Sequence, residues 1–146
     1  MNRAKYFLLL IMGLVGCAVY SQKNSDVVKI EFSSLSRGYS KQISITKDSL
    51  IESSNVNRSA DIKMVKRKVS LKEWEKLTQA LGNISITEIE GLQSPTMKRT
   101  YDGARHSTIT LTTLKGEAAT HSFDDEQPHV KLQKLMSEIS NLTSKK

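Results

Sequence analysis

The chain has little cysteine, little histidine and no long apolar run, and each scarcity excludes a class of protein. Cys17 is the single cysteine among 146 residues, so a disulfide, a cysteine-ligated zinc site and an iron–sulfur cluster are excluded. The three histidines are His106, His121 and His129, and they form neither an HExxH motif nor a pair at helical ligand spacing. We therefore expect no metal site and no cofactor.

Aromatic residues are also few: one Trp, four Tyr and three Phe. They do not alternate with basic residues, as the stacking platforms of nucleic-acid-binding proteins require, so we expect no nucleic-acid partner. The net charge is +7, and removal of Arg3 and Lys5 with an N-terminal signal leaves 20 basic and 15 acidic residues. This mild excess suits an anionic partner such as a membrane surface or an acidic polymer.

Motifs of catalysis and of nucleotide binding are missing too. There is no GxSxG nucleophile elbow, no phosphate-binding loop and no dinucleotide fingerprint. Three consecutive acids, Asp124, Asp125 and Glu126, precede a predicted helix, where capping and the helix dipole explain carboxylates without catalysis. We therefore expect no catalytic residues and no enzymatic activity.

The N-terminus has the layout of an export signal. Arg3 and Lys5 give a positive start, and residues 6–16 form an apolar run. A membrane-spanning helix needs roughly 20 apolar residues, so this run is too short to span a bilayer but has the length of a signal-peptide core. The sequence therefore predicts an exported protein.

Two cleavage sites compete at the end of this run. Residues 14–17, LVGC, resemble the lipobox of bacterial lipoproteins at all four positions, which implies acylation of Cys17 as the first mature residue. Alternatively, Ser21 precedes an ordinary signal-peptidase cut and the mature chain starts at Gln22. We favour lipidation. The predicted organisation is then a signal peptide over residues 1–16 (or 1–21), a polar tether over 17–26, one domain over 27–143 and a tail over 144–146.

The remaining pattern predicts strands and two helices. Val28, Ile30 and Phe32 alternate on one face of the first strand, and a polar loop is expected over residues 53–59. Further strands are predicted over residues 41–46, 49–53, 60–69, 107–114 and 117–123, and the strand over residues 60–69 is expected to be a basic edge strand. Residues 83–92 are interpreted as a packed connecting segment. The fold class is α+β: a mainly antiparallel sheet of five or six short strands with two helices packed on one face.

The first helix has the clearest boundaries. Ser70 and Glu73 match a capping box, and Gly82 is placed to end the helix. Trp74 lies on the apolar stripe of this helix, so we expect it in the core rather than stacked on a ligand. The stripe of the first helix is Leu71, Trp74, Leu77, Thr78 and Leu81, and that of the last helix is Leu132, Leu135, Met136, Ile139 and Leu142.

Burial selects the register of the last two strands. A three-residue loop over residues 114–116, with Gly116 in the left-handed region, gathers the apolar residues on one face, whereas a two-residue loop divides them. In this register His121 points into the core, where we expect a hydrogen bond to backbone or a threonine, and His106 faces outward. The predicted pairs are Ser107 with Phe123, Ile109 with His121 and Leu111 with Ala119.

One long charged loop is the candidate binding site. Long loops of this composition in compact domains are often functional, although a solvated loop with Asp102 paired to a neighbouring arginine is the alternative interpretation. If the loop is structural, the basic strand over residues 63–68 is the next candidate. The candidate loop residues are Lys98, Arg99, Tyr101, Asp102, Arg105 and His106.

The order of these elements resembles two groups of proteins. Paired strands, the helix SLKEWEKLTQAL, the strand STITLT, a return strand, acids and PHVKLQKLMSEI resemble the emfourin-type inhibitors of metalloproteases. They are also similar to small uncharacterised lipoproteins of the bacterial cell envelope. The resemblance covers residues 27–141, with residues 50–69 as an added hairpin. It implies a non-catalytic binding domain.

We therefore expect a lipid-anchored, membrane-bound binding domain of the cell envelope, with a soluble periplasmic or secreted protein as the alternative. Its partner is expected to be a protein, and a protease inhibitor is the most specific form of this hypothesis. The competing hypotheses are a small secreted hydrolase and a structural envelope protein.

Overall fold

The computed structural model describes residues 26–56, 61–101 and 103–144. The predicted signal peptide, Cys17, most of the tether, Asp102 and the last two residues of the tail lie outside the described residues. Within these ranges the strands are β1 (Val27–Ser36), β2 (Tyr39–Thr46), β3 (Ser49–Val56), β4 (Lys63–Lys68), β5 (His106–Thr113) and β6 (Ala118–Asp124). The α-helices are α1 (Leu71–Ala80), α2 (Ile86–Glu90) and α3 (Val130–Ser144), and a 3₁₀ turn covers Lys98–Thr100.

The strands form one antiparallel sheet in the order β4-β3-β2-β1-β5-β6. Helices α1 and α3 pack against each other, and α2 packs on β6. The predicted α+β class, a largely antiparallel sheet with two main helices, is confirmed. The segment interpreted as a connection contains the short helix α2, which Ser85 caps by accepting the Glu88 backbone N–H at 3.2 Å.

The two faces of the sheet differ in chemistry because side chains alternate along each strand. One face packs against the helices in a single apolar core. The opposite face carries mostly hydroxyl and amide side chains and is called the open face below. The sheet contributes to the core Ile30, Phe32, Ile43, Ile45, Leu50, Ile109, Leu111, Ala119 and Phe123.

The first strand departs from the predicted alternation at its start. Val27 is buried and Val28 is exposed, the reverse of what the sequence pattern predicts for Val28. The register between β1 and β5 shifts between Val27 and Lys29, so a bulge exchanges the faces of the residues before it. The prediction of a buried Val28 is therefore wrong.

Helix α1 begins and ends where the sequence predicts. Ser70 Oγ accepts the Glu73 N–H at 3.3 Å, Glu73 Oε2 accepts the Ser70 N–H at 3.0 Å, and Gly82 has a φ of +59°. The packing of its first half differs from prediction, since Leu71 is 62% exposed and Trp74 lies half-buried at the margin of the core. The helix packs mainly through its second half, at Leu77 and Ala80.

The β5–β6 hairpin has the predicted register. All three predicted pairs occur, the Thr113 N–H bonds to the Glu117 carbonyl at 2.8 Å, and Gly116 has a φ of +82°. Burial of one apolar face is therefore sufficient to select the loop length from the sequence.

Candidate functional site

The candidate loop is fastened to the fold by Asp124, the last residue of β6. This carboxylate is 2% exposed and accepts hydrogen bonds from the Lys98 backbone N–H at 2.7 Å and from the Thr96 hydroxyl. Arg99 reaches the same carboxylate, with its Nη1 2.6 Å from Asp124 Oδ1. The 3₁₀ turn of the loop is thus wound around a single buried carboxylate.

The electrostatics of this contact keep Asp124 ionised. Burial raises the pKa of Asp124, but the hydrogen bonds from Thr96, from Arg99 and from the backbone N–H of Lys98 lower it to about 2. Charge-assisted hydrogen bonds of this kind are the strong ones in proteins. A carboxylate whose lone pairs are already occupied is a poor general base, so the arrangement is structural.

The neighbouring acid, Asp125, holds the other end of the loop. Its N–H bonds to the Arg105 carbonyl at 2.8 Å, and its Oδ1 accepts the Arg105 N–H at 3.2 Å. Asp125 has a φ of 53°, a conformation that aspartate tolerates better than most residues. Helix α3 begins later, at Val130, so the interpretation of residues 124–126 as helix-capping acids is wrong.

The structure describes five of the six candidate loop residues, and these fall into two groups. Arg99 is directed inward to Asp124. The Nε of Arg105 lies 3.4 Å from Asp125 Oδ1, and its Cζ lies 5.1 Å from the centroid of the Tyr39 ring. Lys98, Tyr101 and His106 are exposed, Tyr101 by 76%. Asp102 lies outside the described residues.

His121 occupies the core, as its register predicts. It is 1% exposed, stacks on Phe123 with ring centroids 5.4 Å apart, and its Nε2 accepts the His129 N–H at 3.2 Å. Burial lowers the pKa of His121, and the nearby charges of His129 and Arg99 lower it further. A hydrogen bond with the Leu92 backbone raises the pKa but does not offset these effects. His121 is thus a neutral core residue, and in the described part of the chain no three potential metal ligands cluster.

The open face holds a shallow depression of about 520 Å³ across β4, β3, β2, β1 and β5. Hydroxyl groups link neighbouring strands there, with 2.8 Å between Ser33 and Thr108 and 2.9 Å between Thr110 and Thr120. Lys29 and Glu31 form an ion pair of 2.7 Å on the same strand. The open-face side chains that line the depression are Glu31, Ser33, Gln42, Ser44, Ile51, Ser53, Met64, Thr108 and Thr110.

The β3–β4 hairpin exposes apolar side chains on both faces of the sheet. Strand β3 continues to Val56, so the prediction of a loop is wrong for residues 53–56, and residues 57–59 lie outside the described residues. Strand β4 lies at the end of the sheet. Val65 faces the helix side but is 43% exposed, because the helix layer does not cover β4. The exposed apolar residues of the hairpin, called the hairpin patch below, are Ile51, Val56, Ile62, Met64 and Val65.

The hairpin is nevertheless anchored at its base. Arg67 Nη2 lies 3.3 Å from Glu73 Oε1 and donates to the Leu142 carbonyl at 3.0 Å, which joins β4 to α1 and to the end of α3. Hydrogen bonding, from the Ser70 backbone above all, lowers the pKa of Glu73 to about 2, and Arg67 adds to this. The hairpin patch is therefore presented on a fixed strand pair.

The sequence pattern predicts the basic strand β4 but not the hairpin patch. The available signal was Met64 followed by Val65, since two consecutive apolar residues place one on each face of a strand. An edge strand that only completes a core needs apolar residues on one face.

Comparisons of the chain with protein-family models, curated proteins and solved structures find no match. In the described ranges no helix combines the length and apolar character needed to cross a bilayer.

Proposed function

We propose that the protein is an exported, non-catalytic domain, anchored to a membrane of the cell envelope through Cys17, that binds a protein partner. The observation that carries the proposal is the hairpin patch. Five of the twelve large apolar side chains that are exposed in the described part of the chain lie on this one hairpin, and two of them, Ile51 and Met64, line the depression of the open face. A concentration of exposed apolar side chains on one element points to an interaction site, whereas scattered single exposed apolar residues do not.

The state of the ionisable groups supports a non-catalytic role. Asp124 is saturated by hydrogen bonds, and His121 is buried between Phe123 and backbone partners. A hydrolytic site needs a nucleophile, a base and an orienting group that converge on open space. A small secreted hydrolase and a structural envelope protein are therefore the alternatives rather than the proposal.

The anchor would hold the domain close to the membrane. An extended residue spans at most about 3.6 Å, so a tether over residues 17–26 reaches no further than about 35 Å. The acyl chains on Cys17 would supply the two-chain attachment that stable anchoring requires. Cleavage after Ser21 would instead release a soluble periplasmic or secreted domain.

The most specific form of the proposal is inhibition of a protease, which the resemblance to emfourin-type inhibitors suggests. The test incubates the purified mature protein with a panel of metalloproteases and, in parallel, captures partners from envelope extract. Dose-dependent inhibition is expected. A panel that remains fully active overturns the inhibitor form, and hydrolysis of a substrate panel by the protein itself overturns the non-catalytic role.

The binding surface is tested with matched surface variants. Met64→Asp should weaken capture of the partner, because a charge in the hairpin patch opposes burial. Leu114→Asp alters an exposed leucine in the β5–β6 turn and should leave capture unchanged. Both variants should keep their stability within about 0.5 kcal/mol, as is usual for exposed positions. Loss of capture in Tyr101→Ala but not in Met64→Asp would move the site to the candidate loop.

A further inference from the structure

Strand β4 combines an edge position in the sheet with a row of lysines. Strand β4 is the terminal strand of the sheet, with β3 as its one neighbour among the described residues. An edge strand presents a row of N–H and C=O groups that a further strand can pair with. Extended peptides bind to many proteins by adding a strand at such an edge.

The side chains of this edge select the charge of the added strand. Lys63, Lys66 and Lys68 are exposed, whereas Arg67 is turned inward to Glu73. No acid lies on β4, and Glu52 on the neighbouring strand lies 3.8 Å from Lys41. A second copy of β4 would place lysines against lysines, and like charges opposite one another destabilise a strand pair. The edge therefore favours an acidic strand and disfavours its own copy.

A membrane surface also attracts basic residues beside apolar ones, but it does not fit this edge. Burying the edge in the apolar phase would leave the outward N–H and C=O groups of β4 without partners, at a high energetic cost. A polypeptide strand satisfies those groups while its carboxylates meet the lysines. Met64 and Val65, on opposite faces of β4, leave apolar positions for both faces of the added strand.

We propose that the edge of β4 binds an extended acidic segment of the partner, which adds to the sheet as the next strand. This inference rests on the proposed function, because it specifies the kind of segment that a protein partner offers to the hairpin.

The experiment uses the mature protein in detergent and a fluorescently labelled peptide of alternating glutamate and valine. Fluorescence anisotropy should show saturable binding that weakens as salt is added, because exposed charges are screened. Two peptides serve as controls. One carries lysine in place of glutamate, and the other has the same sequence with N-methyl groups on alternate residues, which removes hydrogen-bond donors without changing charge. Neither should bind.

Protein variants locate the site. The pair Lys66→Glu and Lys68→Glu should weaken peptide binding by at least about tenfold, in line with the cost of placing like charges opposite one another. Lys115→Glu, in the exposed β5–β6 turn, is the matched control and should bind normally.

Three results would overturn the inference. The N-methylated peptide could bind as well as the parent peptide, which would leave charge attraction without strand addition. Vesicles of phosphatidylglycerol could bind the protein through the same lysines while the peptide does not, which would assign the edge to a membrane. A captured partner could bind Lys66→Glu/Lys68→Glu normally, in which case the inference fails and the proposed function stands. Loss of the proposed function itself is seen separately, as absence of any captured partner.

Discussion

At the scale of single residues, one carboxylate organises the surface that the sequence suggested as a binding loop. Asp124 accepts hydrogen bonds from Thr96, from the Lys98 backbone and from Arg99, so the positive charge of Arg99 is paired inside the protein. The exposed residue Tyr101 has no such role. The same loop thus contains residues that hold the fold, Arg99 and Arg105, and others that are available to a partner.

This division predicts different effects of two substitutions. Arg99→Met leaves the buried carboxylate of Asp124 without its charge partner and should lower the free energy of unfolding by about 3 kcal/mol. Tyr101→Ala should change it by less than about 0.5 kcal/mol. Urea unfolding of both variants provides the measurement, and equal stabilities would contradict the assignment of Arg99 to the fold.

The lowered pKa of Asp124 predicts a loss of stability at low pH. Its pKa is about 2 in the folded protein against an ordinary value of 3.8, so the folded state binds fewer protons than the unfolded chain. The stabilisation is present in full above pH 3.8 and is lost as the pH falls towards 2. The free energy of unfolding, measured across this pH range, should depend less on pH in Asp124→Asn than in the parent protein. Identical slopes would be evidence against this contribution.

His121 predicts a second pH dependence at higher pH. Burial lowers the pKa of His121 below 6.5. As the pH falls, the histidine is therefore protonated in the unfolded chain before it is protonated in the folded protein. Stability should therefore be greatest above pH 6.5 and decline below it. His121→Phe keeps the ring stacked on Phe123 and should remove this decline in urea titrations. A slope that persists in the variant would assign it to other groups.

At the scale of elements, patterns along the sequence were reliable where one local rule decides the outcome. The capping box of α1 and the β5–β6 register follow from hydrogen bonding and burial within a few residues. The exposure of Leu71 and the bulge before Lys29 depend on neighbouring elements, which a period alone does not contain. Likewise, Asp124 has its role only because β6 contacts a loop that lies 25 residues away in sequence. No local sequence motif predicts that contact.

The position of Trp74 changes the expected effect of its removal. A fully buried aromatic costs about 3–5 kcal/mol when truncated to alanine. Because Trp74 is half-buried beside the core, Trp74→Ala should cost roughly half of that, about 2 kcal/mol. Ser70→Ala, which removes the cap of the same helix, should cost about 1 kcal/mol and serves as the comparison in thermal unfolding. A Trp74→Ala variant of unchanged stability would instead make the ring available for a ligand.

At the scale of the whole molecule, the fold class followed from the sequence but the location of the proposed interaction surface did not. Alternation of apolar residues is a property of each strand, and it was sufficient to predict the sheet and its helices. In the hairpin patch, Ile51 and Met64 lie on the open face, and Val65 is exposed because the helix layer stops short of β4. The reach of one layer over another is a tertiary property.

The proposed anchor predicts the covalent state of the mature protein. Mass spectrometry of membrane-extracted protein should find an acylated N-terminal Cys17, because the lipobox lies at the end of the apolar run. Cys17→Ser should abolish both the added mass and the sedimentation with membranes. An unmodified chain that starts at Gln22 would be direct evidence against the anchor.

The central position of β1 has a consequence for the order of folding. Strands β1, β2, β3 and β4 are consecutive and are separated by only a few residues of sequence, whereas Ser33 meets Thr108 only across a separation of 75 residues. The contact of Arg67 with Leu142 spans the same distance along the chain. Local hairpins form in microseconds, while contacts distant in sequence form slowly because a long loop must close first. The four-stranded meander of β1 to β4 is therefore expected to form early, with its apolar face exposed to solvent. The core is expected to be complete only after α3, the last helix, has packed on it.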